Sequence, residues 1–201
     1  MLIYLHGFNS SPASTKARLL GAVMAERGLE DHYRCPELSH RPAEAIRLVK
    51  AAIAELQPRP ITLIGSSLGG YYATWLAETY GLRAVLINPA VRPHQDLRAF
   101  LGAQQNLYTG ERYTLTEDHL SEWAGLFVRR VTPSRYLLLV ETGDEVLDYR
   151  EAVERYAGAK QVVVPGGDHS LKSFAAHVGL ILEFAGLDTL NRPGAGQGGS
   201  V

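Results

Sequence analysis

Residues 61–70 read Ile61-Thr62-Leu63-Ile64-Gly65-Ser66-Ser67-Leu68-Gly69-Gly70. An apolar run rich in β-branched residues leads straight into a Gly-x-Ser-x-Gly pentapeptide centred on Ser67. Such a run suits a buried strand, and the stretch Tyr72-Ala73-Thr74-Trp75-Leu76-Ala77 that follows suits a helix. The pattern therefore predicts a sharp strand-to-helix turn at Ser67. Glycines two residues either side let neighbouring backbone crowd the turn without a Cβ in the way. The Ser67 hydroxyl then stands exposed at the end of the strand, as a nucleophile elbow requires. A Gly-rich turn without chemistry reads the same way. The partners of Ser67 elsewhere in the chain have to decide between the two.

Working outward, further apolar runs lie near residues 1–6, 32–37, 83–88, 135–141 and 160–165, giving six expected strands with 60–65. Helical spacing fills the gaps. Ala17, Leu20, Val23 and Met24 recur within Thr15–Arg27, which Gly28 stops; Ile46, Val49, Ile53 and Leu56 recur within Ala43–Leu56. Three more helices are expected at Tyr71–Tyr80, Tyr149–Tyr156 and Ser173–Phe184. Strands alternating with helices imply right-handed crossovers and a parallel sheet covered on both faces. The expected fold class is α/β: one domain over residues 1–188, with six mostly parallel strands in the order 2-1-3-4-5-6, flanked by helices.

The rhythm breaks once. Residues 90–133 exceed what a plain crossover needs. They hold two expected helices, near Asp96–Leu101 and Glu117–Val128, around Asn106-Leu107-Tyr108-Thr109-Gly110. An insertion here forms a small cap, or lid, over the carboxyl ends of the strands, where open α/β sheets bind ligands. Two ordinary helices packed on the sheet edge are the plainer alternative. The segment 189–201, with its Arg192-Pro193-Gly194-Ala195-Gly196-Gln197-Gly198-Gly199 run, is expected to be disordered.

Composition narrows the function classes. The chain has 201 residues, 46% hydrophobic and 20% charged, which suits one globular domain with a sizeable core. A net charge of −1 argues against nucleic acid or an anionic membrane as partner. The single cysteine, Cys35, allows no internal disulfide and fits a reducing, cytoplasmic setting. No run approaches the ~18 apolar residues of a membrane span, and the first residues lack the basic region of a secretion signal. No His, Cys and carboxylate spacing resembles a zinc site, so neither metal nor cofactor is expected. Oligomeric state is left open.

A serine nucleophile needs a base within hydrogen-bond reach and a group that orients the base. Both types occur just past an expected strand: Glu141-Thr142-Gly143-Asp144-Glu145-Val146-Leu147-Asp148 after the fifth, and Gly166-Gly167-Asp168-His169-Ser170 after the sixth. Parallel strands carry their carboxyl ends to one edge, so residues far apart in sequence converge there. Of the seven histidines, only His169 sits on a Gly-rich loop after the last strand, which makes it the candidate base. Asp144 is the favoured acid, with Asp148 and Glu141 as alternatives; an N-cap is the plain explanation of Asp148. If the first strand neighbours the third, the loop after Leu5 lies beside the elbow. The backbone N–H groups of Phe8 and Leu68 are then the expected oxyanion hole.

Four stretches carry a resemblance to a known family. They are His6-Gly7-Phe8-Asn9-Ser10-Ser11-Pro12-Ala13-Ser14-Thr15-Lys16-Ala17, Ile64–Ala73, Thr142–Arg150 and Gly166–Ser170. In this order, across nearly the whole chain, they resemble the YqiA-type bacterial esterases, a small branch of the α/β-hydrolases. The resemblance implies hydrolysis of carboxylic esters, with acyl-thioesters as a second class of small-molecule substrate. It implies Ser67 as nucleophile, His169 as base and an acid in the 144–148 loop. Other chemistries share such folds, among them acyl transfer, lyase and C–C hydrolase reactions. A non-catalytic binding protein with a relic pocket is the remaining alternative.

Overall fold

The structure is a computed structural model that describes residues 1–188. The tail expected over 189–201 lies outside the described residues. In chain order the elements are β1 (Leu2–Leu5), α1 (Thr15–Glu26), β2 (Tyr33–Arg34), α2 (Pro42–Leu56), β3 (Thr62–Ser66), α3 (Leu68–Tyr80), β4 (Arg83–Ile87), α4 (Pro93–Asp96), β5 (Gly102–Gln105), β6 (Arg112–Leu115), α5 (Glu117–Gly125), β7 (Tyr136–Glu141), α6 (Tyr149–Arg155), β8 (Lys160–Val164) and α7 (Phe174–Phe184).

β1, β3 and β7 are buried at every position, which is why they read as continuous apolar runs rather than as alternating ones. They sit inside a six-stranded parallel sheet of order β2-β1-β3-β4-β7-β8. This is the expected strand order once the two strands of the insertion are set aside. Successive side chains point to opposite faces. Ile3, Leu63, Leu86 and Leu138 pack with Ile46, Ile53, Leu76 and Trp123 on one side; Tyr4, Ile64, Val85 and Leu137 pack with Leu20, Met24, Val178 and Ile181 on the other. Leu5 pairs with Gly65, Ser66 with Ile87, and Glu141 with Val164, so the strands end at one edge. No described helix is long and apolar enough to cross a membrane.

Two expectations need correction. Helix α3 begins at Leu68, not at Tyr71. Gly69 and Gly70 are poor helix formers, but tertiary packing overrides propensity there. The insertion also differs. The helix expected at Asp96–Leu101 is replaced by the short α4 and a 3₁₀ turn over Leu97–Phe100. An antiparallel hairpin of β5 and β6 follows, and the next helix ends at Gly125 rather than Val128. The hairpin loop has its own chemistry. Asn106 Oδ1 accepts from the Tyr108 and Thr109 N–H groups at 2.9 and 3.1 Å, and Gly110 takes a φ of +75°.

Candidate active site

Between the end of β3 and the start of α3, Ser67 alone makes the turn, at φ 53° and ψ −120°. Residues other than glycine seldom adopt this backbone, and it persists where surrounding structure over-determines it. Here the Ser67 N–H donates to Ile87 O at 2.9 Å, and its carbonyl accepts from Gly70 and Ala90 at 2.9 and 3.1 Å. The glycines explain the packing. A Cβ on Gly65 would strike the Gly69 carbonyl, and one on Gly69 would strike the Leu5 carbonyl. A Cβ on Gly70 would lie 2.6 Å from Pro89 Cβ. The first turn of α3 therefore rests on main chain at Gly69 and on Pro89 at Gly70. Ser67 occupies the N-cap of α3 yet caps nothing with its side chain. Its Oγ lies instead 3.1 Å from His169 Nε2.

The other face of that imidazole meets Asp144. His169 Nδ1 is 3.0 and 2.9 Å from the two carboxylate oxygens. An ionised carboxylate can only accept, so Nδ1 carries the proton and Nε2 is left to accept from Ser67. The Asp144 side chain is 1% exposed. Burial alone would raise its pKa, but hydrogen bonds from His169 and from the Leu147 and Val146 N–H groups outweigh it and hold the carboxyl below its usual value. Asp148 is engaged elsewhere: it accepts from Arg150 N–H at 3.0 Å as the N-cap of α6 and pairs with the Arg150 guanidinium at 2.8 Å.

Glu141, the third carboxylate considered, holds the His169 loop through its backbone. Its Oε2 accepts from Asp168 and Lys172 N–H at 2.8 and 3.0 Å, and its Oε1 from Ser173 N–H at 2.8 Å. Asn88, just past β4, completes the grip. It donates to the Asp168 and His169 carbonyls, each at 3.1 Å, and accepts from Glu141 N–H at 3.1 Å. Gly167, at φ +73°, passes so close over the Glu141 carboxylate that a Cβ would overlap it. Sequence reasoning missed both roles. A glutamate closing an otherwise apolar strand was the available signal, since a buried carboxylate must find donors.

The expected oxyanion residues flank Ser67. A Cβ on Gly7 would lie 3.3 Å from Ser67 Cβ, so the loop carrying Phe8 passes directly beside the serine. Leu68 is the first residue of α3, whose N–H has no partner within the helix. Phe8 and Leu68 both line a small void of about 30 Å³. A larger cleft of about 670 Å³, lined by Ser67, His169, Leu107, Tyr108, Val146 and Lys16 among others, opens beside it. Part of its rim is apolar, with Leu107, Val146 and Tyr108 exposed, and Glu145, Ser170 and Lys172 are exposed beside them. His6 is buried and structural, its Nε2 accepting from Leu38 N–H at 3.0 Å. Cys35 is half-buried, and burial pushes its thiol up to about 12. Among the described residues no cluster of three or more His, Cys, Asp or Glu could hold a metal ion.

Comparisons with known proteins agree on the fold. The family model described as "Uncharacterised protein family (UPF0227)" matches residues 1–186. A UPF0227 protein from Serratia proteamaculans (strain 568) is 23% identical over 92% of this chain and 98% of its own length. A crystal structure of an Agrobacterium vitis S4 protein superposes with a TM-score of 0.74 at 20% identity, covering 92% of this chain and 87% of that one. Alpha/beta hydrolase domain-containing protein 10 from mouse gives a TM-score of 0.66 at 16% identity, covering 94% and 88%. The architecture is the α/β-hydrolase fold.

Proposed function

The chain belongs to the UPF0227 family, and we propose that it is a serine hydrolase cleaving carboxylic esters, with acyl-thioesters as a second substrate class. The observation that carries this reading is the relay Ser67 Oγ, His169, Asp144, with successive distances of 3.1 and 2.9 Å. Ser67 attacks the substrate carbonyl carbon as His169 Nε2 takes the hydroxyl proton. Asp144 holds the imidazole in the required tautomer and stabilises the imidazolium. The Phe8 and Leu68 N–H groups donate hydrogen bonds to the carbonyl oxygen as negative charge develops on it, aided by the positive end of α3. As the tetrahedral intermediate collapses, His169 returns its proton to the departing alcohol or thiol, leaving an acyl-Ser67 ester. Water then attacks that ester as His169 takes its proton; when the second tetrahedral intermediate collapses, His169 returns that proton to Ser67 Oγ, the carboxylic acid leaves and the hydroxyl is restored. In this reading residues 90–133 are a cap that brings Leu107 and Tyr108 over the cleft, and no cofactor takes part.

The test is covalent. A fluorophosphonate probe should label the wild type at Ser67, and Ser67→Ala should abolish labelling and lower ester turnover by ~10⁶. Ser66→Ala should keep most activity. An unlabelled wild type, or an inactive Ser66→Ala beside an active Ser67→Ala, would overturn the reading. A labelled enzyme that transfers its acyl group only to another alcohol or thiol, never to water, would move it to the acyltransferases.

A further inference from the structure

The β5–β6 hairpin grips one short segment, and that segment runs beside Ser67. Leu107 N–H donates to Asn9 O at 3.0 Å, and Asn106 Nδ2 donates to Ser10 O at 2.8 Å. The Tyr113 hydroxyl donates to Asn9 Oδ1 at 2.7 Å, while Asn9 Nδ2 donates to Gln104 Oε1 at 3.0 Å. Both strands of the hairpin and its loop thus converge on Asn9. Asn9 itself sits at φ 50°, a left-handed backbone that asparagine tolerates better than most residues. It directly follows Phe8.

The grip is backed from behind. The Tyr113 ring stacks on His40 with centroids 4.2 Å apart and planes 14° apart. His40 Nδ1 lies 3.1 Å from His119 Nε2, and buried His119 closes the capping box of α5 with Thr116. Burial, reinforced by Glu111, pushes the Tyr113 phenol up to about 12, so it remains a donor at neutral pH. The arrangement forms a continuous line from α5 to the residue after Phe8. A hairpin that swung away as a free lid would break four hydrogen bonds to this loop.

We propose that the β5–β6 hairpin is a brace for the oxyanion hole, with Asn9 and Tyr113 as positioning residues that aim the Phe8 N–H. This rests on Ser67 being the nucleophile of an acyl transfer. A donor held in the wrong direction stabilises substrate little less than before, because its contribution grows only as charge develops on the oxygen. The loss should therefore appear in kcat and not in KM.

Tyr113→Phe tests this by removing a single hydroxyl. Losing an oxyanion donor outright costs ~10²–10³ in turnover; displacing one should cost less. We expect kcat to fall about tenfold with KM within about twofold of wild type, and the melting temperature to drop by no more than ~4 °C. Phenylboronic acid, which forms a tetrahedral adduct with a nucleophilic serine, should bind about tenfold more weakly. Asn9→Ala should behave alike, and the double variant should lose much less than the product of the single losses. Should Tyr113→Phe fail to fold, Gln104→Met removes the other side-chain partner of Asn9 and should give the same kcat and boronate pattern. Unchanged kcat, or a loss confined to KM with boronate binding intact, would overturn the brace while leaving Ser67 in place. Fluorophosphonate labelling of the wild type separates the two: an unlabelled, inactive wild type would overturn the Ser67 reading, and the brace with it.

Discussion

The two loops on either side of Ser67 are fastened by different parts of the molecule. The His169 loop is tied to the sheet itself, through the Glu141 carboxylate at the end of β7 and the Asn88 amide just past β4. The Phe8–Asn9 loop is tied from outside, by a hairpin whose strands have four residues each and are largely half-exposed. One flank inherits the rigidity of buried strands. The other depends on a peripheral element whose anchoring residues are half-buried (Gln104, Asn106, Tyr113) or exposed (Leu107), whereas Glu141 and Asn88 are buried. Local stability follows the burial of the groups that anchor a segment, so the His169 loop should be the more firmly set half of the candidate site and the Phe8–Asn9 loop the softer half.

Of the variants that bear on this comparison, the largest effect comes from the carboxylate that meets His169, leaving both loop fastenings in place. Asp144→Asn keeps the shape of the side chain but favours the wrong imidazole tautomer, and should lower turnover by up to ~10⁴. Asp148→Asn is its control. Asparagine can still cap α6, so turnover should stay near wild type. Ester hydrolysis measured beside circular dichroism checks both. If the two variants exchanged behaviour, the acid would be Asp148.

A middle-sized effect should follow from weakening the sheet-side fastening. Glu141→Gln replaces a charged acceptor of three N–H bonds by a neutral one, which should cost about 2 kcal/mol of stability and roughly tenfold in turnover. Its pH dependence has a definite sign. Burial would raise the Glu141 pKa, but the hydrogen bonds from Ser173, Asp168 and Lys172 outweigh it and lower it. A group with a lowered folded pKa stabilises fully above its unfolded value, and the contribution is lost as pH falls through the folded one. Wild-type melting temperature should therefore fall on acidification below ~pH 4.5, and Glu141→Gln should show a flatter profile there. Parallel profiles would mean that Glu141 is not ionised in the folded protein.

The smallest effect needs no mutation. Amide hydrogen exchange should be faster at Leu107, whose N–H bonds to Asn9, than at Ser173, whose N–H bonds to Glu141. Equal protection would erase the contrast between the two flanks.

Much of this arrangement was legible before any coordinates. Buried parallel strands are continuous apolar runs, so β1, β3, β4 and β7 announced themselves, the unburied edge strand β8 showed through its valines, and their shared direction predicted that Ser67, Asp144 and His169 would meet. Position favoured Asp144, in the first turn past the strand, over Asp148, for which an N-cap was the plain explanation; in the structure Asp144 lies 2.9 Å from His169 and Asp148 caps α6. The hairpin escaped notice because Gly102-Ala103-Gln104-Gln105 has neither apolar alternation nor β-branched residues to mark a strand. Its turn was visible in Asn106 and Gly110, but a turn alone does not say what flanks it. The partners of Glu141 and Asn9 were invisible for another reason. Residues say what a side chain can donate or accept, whereas which backbone groups come within reach depends on how the loops close.

The nest of Gly65, Gly69 and Gly70 has a practical consequence for anyone remodelling this scaffold. Gly65 and Gly69 rest main chain on main chain and Gly70 rests against Pro89, so the only side chain through which the coordinates of the serine pass there is a proline. Conservative repacking around Ile64 or Leu76 would alter how tightly the interior fills while leaving the hydroxyl where it stands. The three glycines tolerate no such freedom, since even a methyl group would lever the helix off the strand. A diversification scheme can accordingly treat Leu107, Tyr108 and Val146 at the cleft mouth as its alphabet, and the elbow as the page on which it is written.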